Sequence, residues 1–112
     1  MRITIICPVR DGTPQEVLDY VSMLEAESNE VYLPPRDTPQ EDPSGIEICS
    51  RMRAAIEWAD RIDIHYNKSS QGTHFDLGIA FALGKKLHLI NNPEDIDVKS
   101  YLKVIKVTEA QG

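Results

Sequence analysis

The run Ser69-Ser70-Gln71-Gly72-Thr73-His74-Phe75-Asp76-Leu77-Gly78 holds the residue types whose spacing could do chemistry. A polar turn containing a glycine leads straight into a helix that is apolar almost all round, and a helix without a polar face is buried. The free N–H groups and dipole at such a helix start favour an anion. Hydroxyls at Ser70 and Thr73, on either side of Gly72, suit a phosphate or a sugar hydroxyl. Asp76 then has two readings. With Thr73 as the cap, Thr73-His74-Phe75-Asp76 is a capping box with aspartate in place of glutamate. Alternatively, the carboxylate is a nucleophile, or an electrostatic partner for a developing oxocarbenium ion. One side chain can do both.

Arg10-Asp11-Gly12-Thr13, after the first apolar run, offers a second donor loop with a permanent cation. Its structural alternative is a surface arginine in a tight turn. Cys7, just before that loop, is either a nucleophile or a small buried hydrophobe. His65 and His74 form no constellation with metal-ligand spacing, so no metal is expected. No Gly-x-Gly-x-x-Gly fingerprint or P-loop is present, so neither a dinucleotide nor an ATPase site is expected, and no cofactor.

Alternating apolar runs and helical periods position these residues. Arg2–Cys7 reads as a buried strand. Thr13-Pro14-Gln15-Glu16 opens a helix with a capping box and proline at the first position, and Val17, Leu18, Val21 and Leu24 form its stripe. Glu30–Leu33 is a second strand, and the proline-rich 34–43 segment a loop. Ser44-Gly45-Ile46-Glu47 repeats the capping pattern ahead of a stripe of Ile48, Met52, Ala55, Ile56 and Ala59. Arg61–Tyr66 is a third strand, with Asp63 and His65 making one face half polar, which points to a subunit contact or a hydrogen-bonded pair. Leu87–Ile90 is a fourth strand. After a loop or short helix around 93–99, Tyr101–Val107 reads as a fifth, with a terminal helix as the alternative.

This order predicts an α/β fold, a doubly wound five-stranded parallel sheet with helices on both faces. Ligands in such sheets bind outside the carboxyl ends of the strands, at the switch in strand order. The polar loops 8–13 and 67–73 follow strands one and three, which agrees with that rule.

At 112 residues one domain, 1–112, is expected. The net charge of −6 argues against nucleic-acid binding, which needs a basic face, though not against binding a nucleotide. No run reaches membrane-span length, and no signal peptide is legible. With only Cys7 and Cys49, in no motif spacing, a reduced, cytoplasmic setting is expected.

Several segments carry a family resemblance: Ile56-Glu57-Trp58-Ala59-Asp60 through Leu87, with Ser70-x-Gly72 and Phe75-Asp76-Leu77-Gly78; Val9-Arg10-Asp11-Gly12; and Tyr32-Leu33-Pro34 through Asp37. Over most of its length the chain resembles the nucleoside 2-deoxyribosyltransferase-like proteins, which include deoxyribosyltransferases and 2′-deoxynucleoside 5′-monophosphate N-glycosidases. The resemblance implies a flavodoxin-like fold, a homo-oligomer, and a nucleoside or nucleotide as the small-molecule partner. It places Asp76 where the family has a glutamate that attacks C1′ of the sugar. Arg10, Gly12, Ser70, Gly72 and Thr73 would hold the sugar or phosphate. The expected activity is deoxyribosyl transfer or hydrolysis at the N-glycosidic bond. A non-catalytic nucleotide- or phosphate-binding module is the alternative, because two positions depart from the family. Asp76 is one methylene shorter than glutamate, and Met52 stands where an aspartate serves proton transfer.

Overall fold

The computed structural model describes residues 1–9, 12–93 and 99–112. Isoleucines at 3, 5 and 6 give β1 (Arg2–Ile6) two apolar faces, which makes it a central strand. It pairs in parallel with β2 (Glu30–Tyr32) on one side and β3 (Arg61–Ile64) on the other, and β3 pairs in parallel with β4 (Lys86–Leu89). The sheet order is β2-β1-β3-β4. Among the described residues four strands therefore replace the expected five, in the flavodoxin order without its last strand.

The two faces of β1 hold the two cores. Ile3, Ile5 and Cys7 pack with Val17, Val21 and Leu24 of α1 (Gln15–Ala26). Ile6 joins the opposite core with Met52 and Ile56 of α3 (Ile46–Trp58) and Leu77 and Ala80 of α4 (Gln71–Ala82). Thr4, buried on that second face, donates its hydroxyl to the Ala55 carbonyl at 2.8 Å, which ties β1 to α3 without a stranded polar group.

The segment read as a fifth strand is instead α5 (Tyr101–Gln111). The Ser100 hydroxyl accepts the Lys103 amide as N-cap, and Leu102 and Ile105, three residues apart, enter the core. Glu109 accepts the Leu89 amide at 3.2 Å and contacts His88 at 2.6 Å, so α5 closes the free edge of β4. Residues 94–98 of the expected intervening loop lie outside the described residues. Within the proline-rich loop, Pro34–Asp37 forms a single turn, α2. Its Arg36 donates to the Val31 carbonyl at 2.9 Å and so covers the other sheet edge.

Helix starts differ from the capping boxes read in the sequence. No side chain caps α1, whose N-cap residue is Pro14. Gly45, at φ 79°, precedes α3, and Asp42 takes the Ile48 amide at 3.1 Å. That amide, the largest favourable cause, helps hold the Asp42 carboxyl below its usual range. The half-polar face of β3 has a partner within the chain: Asp63, wholly buried, accepts from Arg61 at 2.6 and 2.8 Å and from Tyr20 at 2.6 Å. Beside it His65 meets Glu16 at 2.5 Å.

Candidate functional site

The chain leaves β1 for α1 on one face of the sheet and leaves β3 for α4 on the other. The backbones therefore splay apart at the carboxyl ends of these neighbouring strands. A cleft of about 610 Å³ opens there, within the range of small-molecule sites. Cys7, Pro8 and Val9 form its β1 side, and Asn67, Ser69 and Ser70 its β3 side. Ile48, Cys49 and Met52 of α3 and Pro34, Thr38 and Gln40 from the segment after β2 complete the wall opposite α4.

Side-chain bonds set the start of α4 firmly. Asn91 brackets the backbone of Tyr66, accepting its amide at 2.8 Å and donating to its carbonyl at 2.9 Å. Asn67 accepts the Ser69 amide at 2.8 Å. His74 Nδ1 donates to the Ser70 carbonyl at 2.7 Å, and its Nε2 is hydrogen-bonded with the Tyr66 hydroxyl at 2.9 Å. Ser70 is the N-cap and accepts the Thr73 amide at 3.2 Å. The amides of Gln71 and Gly72, first in the helix, have no acceptor within it. Thr73 is 1% exposed, yet among the described residues its Oγ1 has no hydrogen-bond partner. A buried hydroxyl, two amides and a helix dipole thus meet at one cleft wall.

With Ser70 as the cap, Asp76 is the sixth helical residue and not the third, so the capping-box reading of Asp76 is corrected. No described residue hydrogen-bonds its carboxylate. Burial alone raises its pKa from 3.8 to about 7, because the low-dielectric wall penalises the ionised form. Burial, and secondarily the nearby Asp76 charge, push the Cys7 thiol up to about 12. Cys7 is 6% exposed and therefore a protonated wall group at neutral pH, not a ready nucleophile.

Four of the expected site residues, Asp76, Ser70, Gly72 and Thr73, line this one cleft. Gly12, at φ 88°, closes a turn with its amide on the Val9 carbonyl at 3.3 Å and is not part of the lining. Arg10 lies outside the described residues. No lysine, arginine or histidine is among the described lining residues. Met52, 3% exposed, occupies the α3 wall. The sequence reading missed Thr38, Gln40, Cys49 and Phe75 as lining. The available signal was position, since Thr38 and Gln40 follow the carboxyl end of β2 and Phe75 adjoins Asp76. Among the described residues no group of three His, Cys, Asp or Glu side chains forms a metal site, and no helix is long and apolar enough to cross a membrane.

No protein-family model matches the chain, and no curated protein does. Solved structures do. The CMP N-glycosidase BcmB of Clostridium botulinum superposes with a TM-score of 0.69 at 20% identity, over 96% of this chain and 82% of that one. A 2-deoxyribosyltransferase from Bacillus psychrosaccharolyticus superposes with a TM-score of 0.65 at 22% identity, over 93% and 90%. At these identities the shared property is the fold. The activities that name these two proteins, N-glycosidase and 2-deoxyribosyltransferase, are those of the group that the sequence motifs resemble.

Proposed function

We propose that this chain breaks the N-glycosidic bond of a nucleoside or its 5′-monophosphate, by transfer or hydrolysis, with Asp76 as the nucleophile. The observation that carries the reading is the Asp76 carboxylate itself: without a hydrogen bond from any described residue, its pKa raised to about 7, and set in a cleft at the switch in strand order. Burial of this kind is costly for a carboxylate with no structural partner, and it is usual for one that meets a substrate. In the reaction Asp76 Oδ bonds to C1′ as the bond from C1′ to the base nitrogen breaks. The electron pair leaves with the base, which takes a proton from solvent. Water or a second base then attacks C1′ and frees the carboxylate. Ser70, Gly72 and Thr73, which line the cleft, hold the sugar or phosphate at the start of α4, and Arg10, which lies outside the described residues, is kept as the further phosphate contact that the family resemblance implies. The named activities of the two structural neighbours, N-glycosidase and 2-deoxyribosyltransferase, support this substrate class.

One observation favours a second reading, a binding module. Met52 fills the α3 wall, so the described cleft presents no second carboxyl to protonate a leaving base. Chromatography of reactions with a panel of nucleosides and 5′-monophosphates separates the two. Base release or exchange supports the enzyme. Thermal stabilisation by a nucleotide with no base released supports the binding module and contradicts catalysis.

A further inference from the structure

Two side-chain amides of the cleft are held in opposite senses by the backbone. Gln40 Nε2 donates to the Thr38 carbonyl at 2.9 Å and to the Pro34 carbonyl at 3.3 Å. Both of its N–H groups are spent on these bonds, so Oε1, which no described residue engages, is the atom Gln40 has left for a ligand. Asn67 is turned the other way. Its Oδ1 accepts the Ser69 amide at 2.8 Å, which leaves Nδ2 as a donor.

The cleft is therefore polar from end to end. Donors gather at its β3 end, where Asn67 Nδ2, the Thr73 hydroxyl and the first amides of α4 stand together. At its β2 end Gln40 supplies an acceptor. The other hydroxyl there, on Thr38, is bonded to that of Tyr32, which is not among the lining residues. Strand β1 lies between β2 and β3, so the two ends are two strand spacings, about 10 Å, apart. A nucleotide has the matching polarity, with phosphate acceptors on one side of C1′ and the base edge on the other. With C1′ at Asp76 and the phosphate at the start of α4, the base reaches towards Gln40.

We propose that Gln40 is a specificity-determining residue, through which the cleft selects bases with an exocyclic amine, cytosine or adenine, over their keto counterparts, uracil and hypoxanthine. This rests on a nucleoside or nucleotide occupying the cleft, which both readings above share. N4 of cytosine and N6 of adenine are donors that Oε1 can accept, whereas O4 of uracil and O6 of hypoxanthine are acceptors, like those of thymine and guanine. A keto base sets oxygen against oxygen. Rotating the Gln40 amide to suit it would turn Oε1 onto the Pro34 and Thr38 carbonyls and leave both without their donor.

Isothermal titration calorimetry tests this on Asp76→Ala, which keeps the ligands intact, and on the same protein carrying Gln40→Leu. The probes are the 2′-deoxy 5′-monophosphates of cytosine, uracil, adenine and hypoxanthine. Gln40 is exposed and partly served by water, so the amine member of each pair is expected to bind about tenfold more tightly. Gln40→Leu should bring each pair within about twofold. The ratio within a pair cancels any general loosening of the site, and circular dichroism checks the fold. Equal binding of amine and keto members to Asp76→Ala, or a preference that survives Gln40→Leu, overturns the role of Gln40 and leaves the nucleotide site standing. Binding of none of the four overturns both.

Discussion

The Ser70 hydroxyl oxygen accepts the Thr73 amide at 3.2 Å, and this bond relieves Asp76 of any capping duty. A carboxylate in a capping box gains an amide, and its pKa falls. Asp76 has none among the described residues and stands at about 7. The electrostatic strain of the site is therefore concentrated at one residue, and its sign can be measured.

The first prediction is a stability effect opposite to that of a cap. Folding raises the Asp76 pKa from 3.8 to about 7. The folded state thus binds the extra proton between those values, and Asp76 supports folding fully below about pH 4. That support is lost as pH rises through 7. Asp76→Asn is expected to stabilise the protein at pH 8 by on the order of 2 kcal/mol, discounted for a partly open site. At pH 4 it should do little. Urea unfolding across that range checks it, and destabilisation by about 1 kcal/mol at every pH would restore the capping role.

The same shift sets the pH profile of the reaction. A nucleophile must be ionised, so kcat/KM should rise tenfold per pH unit on the acidic side and level off above about 7. A profile that falls through 7 would make Asp76 a general acid.

Met52 offers a gain-of-function test. Met52→Asp places a carboxyl in the α3 wall of the cleft. Where protonation of the leaving base limits turnover, the rate should increase by about 10²-fold. The cost in stability is about 1–3 kcal/mol, because the position is 3% exposed. Base release and urea midpoints, measured together, separate these effects.

Tyr20→Phe is expected to leave the reaction untouched and still weaken the fold. It removes the 2.6 Å hydrogen bond to Asp63, which is wholly buried and away from the cleft lining. The loss should be about 1–2 kcal/mol in chemical denaturation at unchanged kcat/KM.

How far the sequence disclosed this depends on the element. Strands β1 to β4 are legible because each is a short apolar run between turn signals. Tyr101–Val107 is not, since its β-branched residues suit a strand equally well. Packing of Leu102 and Ile105, with the Ser100 cap, makes it a helix. The two loops that meet at the cleft follow from strand order alone. Which of Ser70 and Thr73 caps α4 does not, because both are good caps and only the bonds of His74 and Asn91 to the preceding turn settle it. Thr38 and Gln40 reach the cleft through α2, a turn that the prolines around it disguise as irregular loop.

The most direct test compares single-turnover base release by the wild type and by Asp76→Ala, on whichever nucleoside or 5′-monophosphate the wild type turns over. The expected outcome is a loss of about 10³-fold or more in the chemical step, with ligand affinity retained. Equal rates in the two proteins would mean that Asp76 does not attack C1′, and the proposed chemistry would fail.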